Sequence, residues 1–120
     1  MSRYFSPAEF RRCVPSCKIE DMDAGFLEVL DRVRESAGIP LVLNCAYRSK
    51  AHEKAKGRTG NSAHTRGKAV DIRANSSATR MKIVRAALEN GITRIGIGRN
   101  FVHIDNDESL TQGVMWHYYG

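Results

Sequence analysis

Histidine and aspartate occupy two places in this chain where a strand would normally carry apolar residues. In Ala69-Val70-Asp71-Ile72 the carboxylate of Asp71 lies inside an apolar run, seven residues after His64. Burying a carboxylate is costly unless it is paired or bound to a metal ion. In Phe101-Val102-His103-Ile104-Asp105, strand alternation puts His103 and Asp105 on one face and Val102 and Ile104 on the other. Two imidazoles and one carboxylate, from His64, His103 and Asp71, make a three-ligand set of the kind that leaves a fourth zinc position open to water. On spacing alone an alternative stands beside it, in which His103 and Asp105 simply line a solvated sheet face. Trp116 and His117 alternate near the C-terminus, so only one of them can face such a site; Trp116 either lines the cleft or closes the core.

The elements that must position these residues can be read from patterning. Ser6-Pro7-Ala8-Glu9 is a capping box with proline in the first helical position, predicting a short helix that stops before Pro15. Asp21 to Ala37 carries Met22, Phe26, Val29 or Leu30, Val33 and Ala37 at helical spacing, with Gly38 as the stop. Leu41-Val42-Leu43 and Ala69 to Ile72 read as short strands, and Tyr47 to Gly60 as irregular or partly helical. Ser76 or Ser77 caps a helix to about Glu89, with Met81, Val84, Ala87 and Leu88 as its expected apolar face. Ile95–Ile97, Phe101–Asp105 and Val114–Tyr118 read as three further strands, the first two joined by a turn at Gly98-Arg99-Asn100. Helices first and antiparallel-looking strands last predict an α+β fold, a small, mainly antiparallel sheet with helices on one face. The span 1–120 reads as one domain.

Composition narrows the function classes. The chain is 42% hydrophobic and 27% charged, with a net charge of +6. That balance favours an anionic partner. The basic residues are dispersed among Gly, Ala and acids with little aromatic interleaving, so no nucleic-acid role is assigned. No apolar run approaches the roughly 20 residues that span a bilayer, so no membrane insertion is expected. Met1 to Phe10 lacks the apolar stretch of a secretory signal. The three cysteines, Cys13, Cys17 and Cys45, cannot all pair within one chain, and free buried thiols are expected.

The pattern Ser62-x-His64-x-x-Gly67-x-Ala69-x-Asp71, followed by His103, resembles the zinc D-alanyl-D-alanine carboxypeptidase family of M15-type peptidases. Its relatives include phage L-alanyl-D-glutamate endolysins and, distantly, the hedgehog signalling domain. Ala46-Tyr47-Arg48-Ser49 resembles that family's Tyr-Arg-Ser segment, and Tyr4-Phe5-Ser6-x-x-Glu9-Phe10 resembles the opening of the small phage-type branch. The resemblance implies zinc ligands His64, Asp71 and His103. It implies a substrate- or oxyanion-binding role for Arg48; Ser62, in the motif, and Trp116, near the C-terminus, are also expected on the substrate side. It further implies a substrate among the stem or cross-link peptides of peptidoglycan, cut by D,D- or L,D-cleavage. The chain is then expected to be made in the cytoplasm, to act at the cell wall after release or processing, and to be a monomer.

One departure stands out. Many members carry Asp or Glu three residues before the last zinc histidine as general base, and here that position is Asn100. An amide cannot take up the proton. Asp105 is the nearest carboxylate on the ligand face and is the expected base; the alternative is that it orients His103 or an arginine. A zinc-bearing cell-wall-binding module with weak or no catalysis is the corresponding alternative function.

Overall fold

The structure, a computed structural model, describes residues 2–118, so the two ends of the 1–120 span lie outside it. Helix α1 (Pro7–Arg11) begins at Ser6, whose backbone N–H donates to Glu9 Oε2 at 2.7 Å, the reciprocal half of the capping box. A single 3-10 turn at Ile19–Asp21 leads to α2 (Ala24–Ala37). There Asp23 accepts from the Phe26 N–H at 2.9 Å, and Gly38 closes the helix in the left-handed conformation. Helix α2 buries Phe26, Leu27, Leu30, Val33 and Ala37, close to the stripe expected from its spacing.

Strand β1 (Leu43–Cys45) lies two residues beyond the expected Leu41–Leu43. Leu41 and Leu43 are buried while Val42 is exposed, so the apolar run is a strand entry rather than a doubly covered strand. After α3 (Lys50–Ala55), a 3-10 segment at Ala63–Arg66 carries His64 into β2 (Ala69–Arg73). Helix α4 (Ser77–Glu89) is capped by Ser76, and its buried face differs from the expected one. Ile83, Ala86 and Ala87 point inward, whereas Met81 and Leu88 are exposed. Apolar residues surround this helix, and the two alanines allow its close contact with α2.

Strands β3 (Arg94–Ile97), β4 (Phe101–Asp105) and β5 (Val114–His117) complete a five-stranded sheet in the order β1-β2-β4-β3-β5. The sheet is antiparallel except at β5, which runs parallel to β3 along one edge. Helix α4 packs on β4, and the sheet face made by Val70, Ile72, Val102 and Ile104 joins the core under the helices. Asp71 and His103 are register partners on the adjacent strands β2 and β4, so they share the opposite face. Among the described residues no helix is long and apolar enough to cross a membrane, and all three cysteines are free and buried.

Candidate metal centre

Each predicted ligand is held by a different local device. His64 sits in the 3-10 segment that ends at Gly67, whose positive φ of 68° closes the turn. A Cβ at Gly67 would lie 2.4 Å from the carbonyl oxygen of Asp21, so a side chain here would push the whole turn off the start of α2. The Asp23 N–H bonds the Gly67 carbonyl at 2.9 Å and locks the two pieces together. Asp71 and His103 are set by the β2–β4 register.

Hydrogen bonding fixes which nitrogen of each imidazole is bare. His64 Nδ1 contacts the carbonyl oxygen of Ala46, which only accepts, so Nδ1 carries the proton and Nε2 presents a lone pair. That Nε2 lies 3.4 Å from Asp71 Oδ1. His103 Nε2 donates to Asp105 Oδ2 at 2.7 Å, which leaves Nδ1 facing the same Asp71 oxygen at 3.0 Å. The two rings stand edge to face, with centroids 5.1 Å apart. Both bare nitrogens thus face one carboxylate oxygen, an arrangement of electron-rich atoms that a cation would relieve. Burial pushes the His103 pKa down, but its bonds to Asp105 and Asp71 outweigh this and raise it above the ordinary value. Burial likewise pushes Asp71 up, and the two histidines outweigh it and hold the carboxyl well below the usual carboxylate range. The donor set fits a zinc ion in chemistry and number, with room in the set for a fourth ligand.

Cys45 is a donor near this point that the motif did not flag. Its thiol, with His64 and Asp71, offers ligand atoms within 4.8 Å of one another. Its Sγ lies 3.9 Å from His64 Nδ1, the nitrogen turned toward Ala46 rather than toward Asp71. Burial, then the charge of Asp71, pushes the Cys45 pKa up to about 12. The signal available in sequence was its place on the strand leading to Arg48.

Asp105 departs from expectation. It was expected beside the open metal position, where a base would meet water. Instead it stands behind the His103 ring, on the edge away from Nδ1. Both of its oxygens are engaged: Oδ2 by His103, and Oδ1 by Arg94 Nε at 2.8 Å and the Asp107 N–H at 3.2 Å. The physical reason is Arg94, one of the residues that sequence reasoning missed. From β3 it neutralises the buried carboxylate, donates to the Thr111 carbonyl at 2.7 Å, and lays its guanidinium 4.9 Å from the Trp116 ring centre. Asn100 occupies the exposed β3–β4 turn.

Among the residues expected to bind substrate, Trp116 places its ring 5.4 Å from that of His103, while His117 is exposed. Gly96 makes this possible, because a Cβ there would lie 2.7 Å from the indole nitrogen. Arg48 is half-buried and its Nε lies 2.9 Å from Glu53 Oε2. The same oxygen accepts from the Ser62 hydroxyl at 2.8 Å. Glu53, 1% exposed, was also missed; it joins two of the predicted residues through one carboxylate. The Arg48 N–H donates to the His64 carbonyl at 3.2 Å, so the arginine segment and the histidine segment are braced together.

Comparison with known proteins gives the family and the fold. The peptidase M15 family profile matches residues 3–105, and the chain belongs to that family. Among solved structures it is similar to the crystal structure of the Serratia marcescens L-Ala D-Glu endopeptidase ChiX. The TM-score is 0.54 and the identity 18%, over 88% of this chain and 92% of that one. No curated protein sequence matches it.

Proposed function

We propose that this chain is a zinc peptidase that hydrolyses a bond in the stem or cross-link peptides of bacterial peptidoglycan, acting at the cell wall. One observation carries the proposal: His64 Nε2 and His103 Nδ1 both face Asp71 Oδ1, and the outer nitrogen of each ring is hydrogen-bonded. Outer hydrogen bonds of this kind orient metal-binding histidines and raise their basicity. Family membership supports peptidase chemistry. The fold neighbour, an L-Ala D-Glu endopeptidase by its title, makes that bond the first to test.

His64, Asp71 and His103 would hold the ion. Zinc supplies Lewis acidity, polarising a carbonyl and making water a nucleophile near neutral pH. The chain supplies the rest. The Arg94–Asp105 pair fixes the His103 ring, and Arg48, held by Glu53, presents its remaining guanidinium donors to a developing oxyanion or to a substrate carboxylate. Trp116 covers one side of the His103 ring and keeps water from it.

A second reading, a zinc-bearing wall-binding module with weak or no catalysis, is favoured by one pairing of facts. Asn100 stands where relatives carry a carboxylate, and Asp105 has both oxygens committed. Mass spectrometry of peptidoglycan digested by the zinc-loaded protein decides between them. New peptide termini that appear with zinc and vanish with chelator support the enzyme and name the bond. Retention on insoluble wall material without new termini supports the module.

A further inference from the structure

A cleft of about 660 Å³ opens beside Asp71 and runs over β1 toward α1. Three arginines line it: Arg12, Arg48 and Arg73. Arg48 is paired with Glu53, and the lining carboxylate of Glu9 is turned to the Ser6 N–H in the α1 cap. Asp71 is spent on the two histidines. Arg12 uses one donor, Nε, on the Ala8 carbonyl at 3.3 Å. The Arg73 side chain makes no hydrogen bond or ion pair among the described residues, and both guanidiniums are exposed. Asn44 and two exposed valines share the lining with them. Val14 is 80% exposed and Val42 is 42% exposed, and both line the same cleft.

Position along the strand gives a length scale. Arg73 follows Asp71 by two residues on β2, so it projects from the same face about 6.7 Å further along. An extended peptide repeats its side chains at the same interval. With its reacting bond at the convergence of His64, His103 and Asp71, a bound peptide would bring a group one or two residues away to Arg73. Short apolar side chains would meet Val14 and Val42.

We infer, resting on the peptidase reading above, that Arg73 and Arg12 form an anion subsite selecting an extended acidic peptide. The subsite takes a free carboxylate one or two residues from the bond to be cut, next to small apolar side chains. Hydrogen bonds to a charged partner are the stronger class, and the exposure of both arginines puts the expected preference for carboxylate over carboxamide at about tenfold.

The test uses the full chain loaded with zinc and two versions of L-Ala-γ-D-Glu-L-Lys-D-Ala. One has the glutamate α-carboxyl free and the other has it as the carboxamide. Calorimetry is run on peptides N-methylated at the L-Ala–D-Glu bond, so that binding is read without turnover; hydrolysis is run on the unmethylated pair. The expected result is about tenfold tighter binding of the acid at low ionic strength. That advantage should shrink with salt, because exposed charges are screened. R73Q and R12Q should each bring the two peptides toward equal affinity. Equal affinity of acid and carboxamide for the unaltered protein overturns the subsite, as does no measurable binding of either, or variants that weaken both peptides alike. Cleavage without discrimination overturns the subsite and leaves the peptidase reading intact. Discriminating binding with no cleavage overturns the peptidase reading and leaves the subsite.

Discussion

At the scale of single residues, the centre is organised by which atoms have protons. His64 and His103 each give up one nitrogen to a hydrogen-bond acceptor, and the other nitrogen is thereby bare and aimed at Asp71. Asp105→Asn removes a charged acceptor but keeps the shape. The expected outcome is metal affinity weakened by about 10- to 100-fold, the usual worth of such a partner, with turnover restored when zinc is in excess. Measuring zinc affinity and rate at saturating metal separates this from a base, whose loss no added zinc would repair. Cys45→Ser should keep one zinc per chain, because the thiol sits at the protonated side of His64. Elemental analysis showing loss of metal from that variant would make Cys45 a ligand. Asp71 and His103 stood out in sequence because an aspartate and a histidine inside apolar strands are anomalies, and His64 stood out by its place seven residues before Asp71. Arg94 was not, since in Arg94-Ile95-Gly96-Ile97 it reads as an ordinary strand end, and only the strand pairing that sets it opposite Asp105 reveals its use.

At the scale of elements, the small helix α3 and the edge strand β5 hold residues expected to meet a substrate. Helix α3 has a polar sequence, Lys-Ala-His-Glu-Lys-Ala, in which nothing distinguishes Glu53 from a solvated charge. Its burial follows from the docking of α3 between the Arg48 segment and the start of the His64 turn, a tertiary event that no local pattern encodes. Glu53→Gln keeps an acceptor for the Ser62 hydroxyl and loses the ion pair. Turnover is expected to fall roughly tenfold or more with metal content unchanged, since one oxyanion donor is worth on the order of 100-fold and Gln only loosens it. Parallel kinetics and metal analysis check both halves. For β5 the strand was legible, but its parallel pairing with β3 was not, because the intervening loop is tied down by side chains. Asp107 accepts from Arg66 and from the Ser109 hydroxyl, and Gln112 bonds the Asp107 carbonyl at 2.9 Å. Gly96→Ala should displace the Trp116 indole from His103, seen as a shifted tryptophan emission, with loss of turnover and retention of zinc. Unchanged emission would show that the ring accommodates the methyl without moving.

At the scale of the whole molecule, the metal centre is where separately built pieces meet. His64 arrives on a loop braced to Arg48 and to the start of α2, while Asp71 and His103 belong to the middle of the sheet. The sheet is held by the core formed with α2 and α4, whose existence was legible from periodicity. The rotation of α4 was not, because its apolar residues surround the helix and packing chose the face with alanines. Since the candidate ligands come from both the loop and the sheet, an ion bound by them would stabilise only the assembled fold. A ligand that binds the native state alone at about 1,000 times its Kd adds about 4 kcal/mol. For a chain of this size each kcal/mol is worth about 4 °C, so removing zinc with a chelator should lower the melting temperature by on the order of 10 °C. Adding back zinc, but not magnesium, should restore it, because the set includes two imidazoles that a hard cation disfavours. Calorimetric scans of the purified chain, with His64→Ala as the control in which chelator changes nothing, test this directly. A melting temperature indifferent to chelator in a zinc-loaded sample would mean that the loop and the sheet are joined without the ion, and that the convergence of His64, Asp71 and His103 is held by protons alone.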